Sequence, residues 1–215
     1  MPIVSKRSLN WNANDSLGTN NGTATNVTYN ASKTNQGWDF NGSSSYVTIA
    51  DSSSLDITWN ITLSAIINPT TLKNSYFFVK DGVTAERSFT FDTTNYVGQL
   101  GKLDAFFFVW GLYSYAYTTN QNVIVAWKYQ HVAVTWTGSD WAIQFWINWN
   151  KVATSNITQT PWTIIVSTAP VYLWRRDYLP SPWYFSGKID EAEIHNGKLS
   201  DWELKTKYAY LFWFM

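Results

Sequence analysis

The sequence predicts an all-β protein, an antiparallel β-sandwich with one short helix near its C-terminus, on three observations. Short β-prone runs alternate with turn clusters from Asp39 onward, and no apolar i, i+3, i+4 pattern persists before residue 199. A chain of 215 residues with 45% hydrophobic content is also long enough to bury a sizeable core in one large β domain. The expected organisation is a single domain over residues 1–215, with its core at about 9–210.

Residues 9–36 are dominated by Asn, Thr, Ser and Gly, which bond their own backbone or tolerate left-handed conformations, so they read as loop and turn. Strands are expected at 46–49, 61–67, 76–79, 88–91, 105–109, 112–117, 129–136, 142–147 and 171–173, a spacing that favours a sandwich. In 61–67, Ile61, Leu63, Ala65 and Ile67 alternate with Thr62 and Ser64, so one face should be buried and the other less so. The run AFFFVW places Phe106 and Phe108 opposite Phe107, apolar on both faces, which suggests a central strand of the core. In FWINWNKVAT an apolar run meets Asn148 and a second extended piece starts at Lys151, so the chain must reverse at Asn148-Trp149-Asn150. Such a reversal calls for positive φ, which glycine supplies freely and a bulky indole resists. Near the end, LSDWELKTKYAY offers Ser200 as a cap and Leu204 at helical spacing.

Fifteen basic and fifteen acidic side chains leave no net charge, and no basic stretch interleaves with aromatics as a nucleic-acid surface requires. Without cysteine there are no disulfides, thiolate metal sites or cysteine nucleophile. MPIVSKRSLN lacks the apolar stretch of a signal peptide, and no run approaches the roughly 18 apolar residues of a membrane span, so no membrane insertion is expected. Tryptophan, at 14, outnumbers glycine, at 11, an inversion for a turn-rich β fold.

Six blocks, LNWNANDSLGTNNGTATNVTY, DFNGSSSYVTIADSSSLDIT, ITLSAIINP, KYQHVAVTWTG, FWINWNKVAT and YFSGKIDEAEIHNGKLSDWEL, follow one another at ordinary loop distances. In that order they resemble the laminin G-like domains of the concanavalin A-like lectin/glucanase superfamily. The resemblance implies a jelly-roll of two stacked antiparallel sheets. It also implies a non-catalytic module of a secreted or cell-surface protein that binds carbohydrate, glycoconjugate or protein, sometimes with calcium. On that basis the expected setting is extracellular or cell-surface, within a larger protein, with any export signal outside this chain. The alternative role is a structural or assembly module without a small ligand.

The chain departs from the family pattern at its tryptophans. The family usually has Trp where this chain has Ile66, and Gly where it has Trp11, Trp59, Trp149 and Trp174. Trp127 and Trp183 also stand where a turn glycine would be at home. One reading is that UGA codons, read as glycine in some bacterial lineages, stand as tryptophan here; the other is a genuine aromatic rim. Trp136, Trp146 and Trp162 lie in extended runs, where an aromatic is expected.

Some members of the superfamily are glucanases whose strand presents paired carboxylates. In KIDEAEIH, alternation puts Glu191 and Glu193 on one face and Asp190 on the other, in an order of acids that does not match the glucanase strand. The expected reading is a sheet-edge strand with solvated acids. His131 in YQHVAV reads as a packed or hydrogen-bonded strand histidine. No nucleophile elbow, P-loop or dinucleotide fingerprint occurs.

Binding candidates come from GLYSYAYTT, where Tyr113, Tyr115 and Tyr117 share one face at period two. That stripe fits either a sugar-stacking surface or a packed face inside the sandwich. Trp162, Arg175 and Arg176 complete the set, the arginines either meeting an acidic sugar or sitting on a solvated rim. For calcium, Asp51, Asp81, Asp140 and Asp177 are loop acids of the required type, each readable equally as an ordinary turn aspartate.

Overall fold

The structure, a computed structural model, describes residues 2–7, 12–34, 36–82, 87–94, 100–110, 112–120, 122–158, 162–176 and 183–213. Its strands in chain order are β1 (Ile3–Arg7), β2 (Gly22–Thr25), β3 (Thr28–Ala31), β4 (Gln36–Asn41), β5 (Tyr46–Ile49), β6 (Asn60–Pro69), β7 (Ser75–Asp81), β8 (Arg87–Thr94) and β9 (Lys102–Val109). They continue as β10 (Leu112–Thr118), β11 (Gln130–Thr137), β12 (Ile143–Ile147), β13 (Asn150–Lys151), β14 (Thr154–Thr158), β15 (Val171–Leu173), β16 (Arg175–Arg176), β17 (Trp183–Tyr184) and β18 (Ser186–Asn196). The helix α1 (Asp201–Trp213) follows.

The strands form two eight-stranded antiparallel sheets. The first runs β13-β12-β11-β6-β18-β4-β3, with β1 also on β18; the second runs β14-β10-β9-β8-β7-β15-β5-β2. A separate ribbon joins β16 to β17. This is a jelly-roll sandwich, and every strand expected from the sequence is present.

Alternation explains the stacking. From β8 and β9, Phe89, Phe91, Leu103, Ala105 and Phe107 point inward and are fully buried, meeting Leu63, Val134 and Trp136 of the first sheet in one core cluster. Each large side chain so buried contributes roughly 1.5–3 kcal/mol of transfer free energy.

Several expectations need correction. The 9–36 stretch carries β2 and β3 as well as turns, because Thr-rich segments pair readily at sheet edges. The outer face of β6 is not half-exposed: Thr62, Ser64 and Ile66 are as buried as the inner residues, since α1 lies over this sheet. Strand β18 is no edge strand, being paired with β6 and β4 on its two sides. A bulge at Glu191, whose φ is 47°, resets its alternation. Asp190 and Glu193 therefore share the outer face while Ala192 and Ile194 enter the core. The acids are buried rather than solvated.

The helix begins as its sequence implies. Ser200 and Glu203 form a reciprocal capping box, with the Ser200 amide 2.7 Å from Glu203 Oε2 and the Glu203 amide 3.3 Å from Ser200 Oγ. Leu204 and Tyr208 then face Ala133 and Trp146 of the first sheet.

The chain reverses after Ile147, which pairs with Asn150 across a two-residue turn. Asn148 and Trp149 both have positive φ, 46° and 60°, the type I′ signature that favours Asn-Gly. Trp127, Trp141 and Trp174 also take positive φ, 62°, 54° and 69°. Among the described residues, four of the eight non-glycine positions in that region are thus tryptophan, a residue with no preference for it. Trp59 and Trp183 are not among them, so the glycine argument does not extend to their backbones; Trp11 lies outside the described residues. Trp174 is a second departure: it is fully buried, 5.2 Å from the Trp38 ring and 4.8 Å from Phe40. Trp136 and Trp146 sit in strands as expected, whereas Trp162 is at an exposed bend.

Candidate functional site

Because β8, β9 and β10 are consecutive antiparallel neighbours, their outward residues form rows across the second sheet. Asp92 lies directly opposite Asp104, which lies opposite Tyr117; Thr90 lies opposite Phe106, which lies opposite Tyr115. The next row brings Phe108 beside Tyr113. The tyrosine stripe is therefore on the outer face, and Ser114 and Ala116 fill the inner one. Phe106 and Phe108, expected in the core, also face outward and are only partly buried, because the inward register belongs to Phe107.

These rows floor a groove of about 420 Å³. One wall is aromatic: Phe106 stacks on Tyr115 at 4.1 Å, and Tyr113 meets Phe106 edge-on at 5.6 Å. The opposite wall is the stacked pair Tyr76 and Trp183, 6.0 Å apart and within 10° of parallel. Arg176 stands beside them, donating to the Tyr76 hydroxyl at 2.9 Å and through Nη2 to Asp81 at 2.7 Å. Arg87 approaches the other oxygen of Asp81 at 3.2 Å. Asp81 thus anchors both guanidiniums.

On the floor, Asp92 and Asp104 are each 4% exposed. Burial raises the pKa of Asp92 well above the ordinary carboxylate range, and the charge and hydrogen bond of Asp104 add to it. Burial raises Asp104 as well. Two such carboxyls in cross-strand register favour holding a proton between them. Burial also pushes the Tyr76 phenol up, keeping it neutral.

The ribbon sorts its arginines by alternation. Arg176 pairs with Trp183 and turns to the groove, while Arg175 pairs with Tyr184 and lies over Tyr46 at 4.3 Å, with Tyr172 and Tyr184 at 5.8 and 5.7 Å. Neither occupies a solvated rim; both are half-buried.

Of the sequence candidates, the groove thus gathers Tyr113, Tyr115 and Arg176. Tyr117 continues the stripe beyond it under the Lys102 ammonium, at 4.8 Å, and Trp162 is exposed outside the groove lining. Sequence reading missed Tyr76, Asp92, Asp104 and Arg87, and set Trp183 aside. The available signal was an aspartate on the outward register of both FTFDTT and KLDAFFFV, an unusual residue for a strand.

The calcium candidates are not brought together. Asp51 pairs with buried Lys80, Asp81 with Arg176 and Arg87, and Asp140 accepts from Thr137 and from the Ala142 amide; Asp177 lies outside the described residues. Among the described residues no three His, Asp or Glu side chains cluster as metal ligands would.

The acids of β18 face the other way: Asp190 accepts from the Thr34 amide and hydroxyl, and Glu193 lies beside Lys207 of α1. Lys6 lies 3.1 Å from Glu191 and 3.2 Å from Glu193, and Glu193 is also bonded by His195, at 2.8 Å, and by Lys207. Burial alone would raise Glu193, but the bond from His195 and the charge of Lys207 hold it at about 2. His131 stacks on Tyr208, and burial holds its imidazole well below its usual value, as befits a packed histidine.

Residues 41–205 match the family described as Laminin_G_3, concanavalin A-like lectin/glucanases superfamily. The chain belongs to that family. No curated protein matches its sequence. Among solved structures, this laminin G-like chain is similar to domain 4 of AbnA, an extracellular arabinanase from Geobacillus stearothermophilus, in complex with arabinotriose. That likeness has TM-score 0.72 and 19% identity, covering 95% of this chain and 97% of that one. It is also similar to the binding domain of Paraclostridial Mosquitocidal Protein 1, with TM-score 0.73, 14% identity, and coverage of 96% and 51%. A third likeness is to the binding domain of botulinum neurotoxin DC in complex with rat synaptotagmin II, with TM-score 0.68, 13% identity, and coverage of 98% and 52%. The laminin G-like chain spans about half the length of the two toxin binding domains. At these identities the likenesses establish the fold.

Proposed function

We propose that this laminin G-like chain is a non-catalytic recognition module that binds the carbohydrate of a glycan or glycoconjugate in the groove on the outer face of its second sheet. The observation that carries the reading is the groove's construction: facing aromatic walls for sugar rings, with buried carboxyls and a guanidinium between them for hydroxyl groups. Its volume of about 420 Å³ is in the range of small-molecule sites, roughly 300–1,000 Å³. Domain 4 of AbnA, similar over nearly its whole length, is in complex with arabinotriose, which supports the ligand class.

The same geometry disfavours hydrolysis. Glycosidase carboxyls stand about 5 Å or more apart across the scissile bond, whereas Asp92 and Asp104 bond one another and Glu191 and Glu193 are consumed by cations. We further infer that the module works as one domain of a larger exported or surface protein, a setting supported by the binding domains it resembles.

Calorimetric titration with a panel of oligosaccharides tests the reading. Binding should appear for the native chain and weaken about tenfold in Tyr115→Ala and in Trp183→Ala, as expected for loss of one stacking ring. A panel silent throughout would instead support a structural or assembly role.

A further inference from the structure

The groove's charges point to the kind of sugar it takes, an inference that rests on the glycan-binding reading above. The cations lining it, Arg87 and Arg176, both lie on Asp81. The acids, Asp92 and Asp104, sit in direct cross-strand register on β8 and β9, both buried, so two full charges there would repel. Oδ1 of Asp104 is sealed from solvent without a hydrogen-bond partner, on the strand position facing Asp92. The pair therefore shares one proton and carries one negative charge. Among the described residues, two guanidiniums, Asp81 and this pair then sum to zero. Lys102, the next cation on the same face, is held over Tyr117 outside the lining.

A neutral site with a carboxyl floor offers acceptors to hydroxyl groups and no uncommitted positive charge to a carboxylate. We propose that the groove selects an uncharged glycan and discriminates against the same glycan bearing an acidic group. Sugar hydroxyls would donate to the groove-facing oxygens of the Asp92–Asp104 pair while their rings lie against Tyr115 and Trp183. An acidic sugar would set its charge against that pair, and the guanidiniums, their charge already offset by Asp81, would give it little net attraction. A sialic or uronic acid is therefore the wrong ligand.

The test uses the best-binding neutral trisaccharide of the panel and the same trisaccharide oxidised to its terminal uronic acid. Calorimetry should show the neutral form bound at least tenfold tighter by the native chain. Asp92→Asn, which replaces one of the two carboxyls offered to the sugar hydroxyls, should weaken neutral binding about threefold. The double variant Asp92→Asn with Asp104→Asn, which removes the floor's charge, should narrow the preference by about tenfold. Unchanged melting temperature within a few degrees establishes that both variants are folded. Equal or tighter binding of the uronate by the native chain, lost in Tyr115→Ala, would overturn the proposal while leaving the groove as the glycan site. An unaltered preference in the double variant would also overturn it. No binding by any glycan would remove both readings together.

Discussion

The two sheets turn their inner faces to one core, yet their outer faces are built to opposite ends. On the first sheet, α1 lies across β6 and β11: Tyr208 donates to Ser64 at 2.8 Å and stacks on His131, and Glu193 gathers Lys6, Lys207 and His195. Its charged groups are paired with one another, although both ring nitrogens of His131 and Nε1 of Trp146 are buried without a hydrogen-bond partner. On the second sheet, Asp92, Asp104, Phe106 and Tyr115 line an open groove, with their polar and aromatic surfaces unfilled by any helix. A closed network specifies structure and an open one has room for a ligand, so equal numbers of buried acids carry different meanings.

If that contrast is right, variants on the two faces separate stability from binding. Tyr208→Ala should have the largest effect, about 3–5 kcal/mol of stability by urea denaturation, by analogy with other buried aromatic truncations, and leave glycan affinity unchanged. The Glu193 network comes next. Its folded pKa of about 2 lies below the ordinary 4.5, so its stabilisation is complete above about pH 4.5 and is lost as pH falls toward 2. That loss is on the order of 3 kcal/mol, and Glu193→Gln should flatten the pH slope in that window by that contribution, measured by chemical denaturation. On the open face, Tyr115→Ala should alter stability by less than about 1 kcal/mol while weakening the glycan about tenfold.

The smallest effect is at the hairpin, where Trp149 packs only partly buried against the edge of the cluster beneath α1. Trp149→Gly at the hairpin should stabilise the fold by about 1 kcal/mol, since an L-residue pays for left-handed φ that glycine adopts freely. We propose that Trp127, Trp141 and Trp149 stand at glycine positions through UGA recoding, and their codons decide it: UGG at 149 would end the idea. Trp174 sets two terms against each other. Relief of φ 69° favours glycine by about 1–2 kcal/mol, but emptying the pocket beside Trp38 and Phe40 costs about 3–5 kcal/mol, so Trp174→Gly should destabilise this packing.

Local signals in the sequence were sufficient for the fold. β-Prone runs between turn clusters located β6, β8 and β11, Ser200 with Leu204 marked the start of α1, and the turn at Asn148-Trp149 followed from the two runs flanking it. The site was half legible. The tyrosine stripe was visible because its three members share one strand, but its orientation depended on which face met the other sheet. Asp92 and Asp104 lie on different strands, and only the β8–β9 register brings them together. The acids of β18 were misread because one extra residue in a bulge exchanges faces, which alternation alone cannot reveal.

The central claim is that the open outer face of the second sheet holds the ligand. Amide chemical-shift mapping during titration with a bound neutral oligosaccharide tests it most directly. Shifts should concentrate at residues 76, 92, 104, 106, 113, 115, 176 and 183 and spare 193, 195 and 199–208. Perturbations centred on α1 and β18, with the groove residues unmoved, would contradict it.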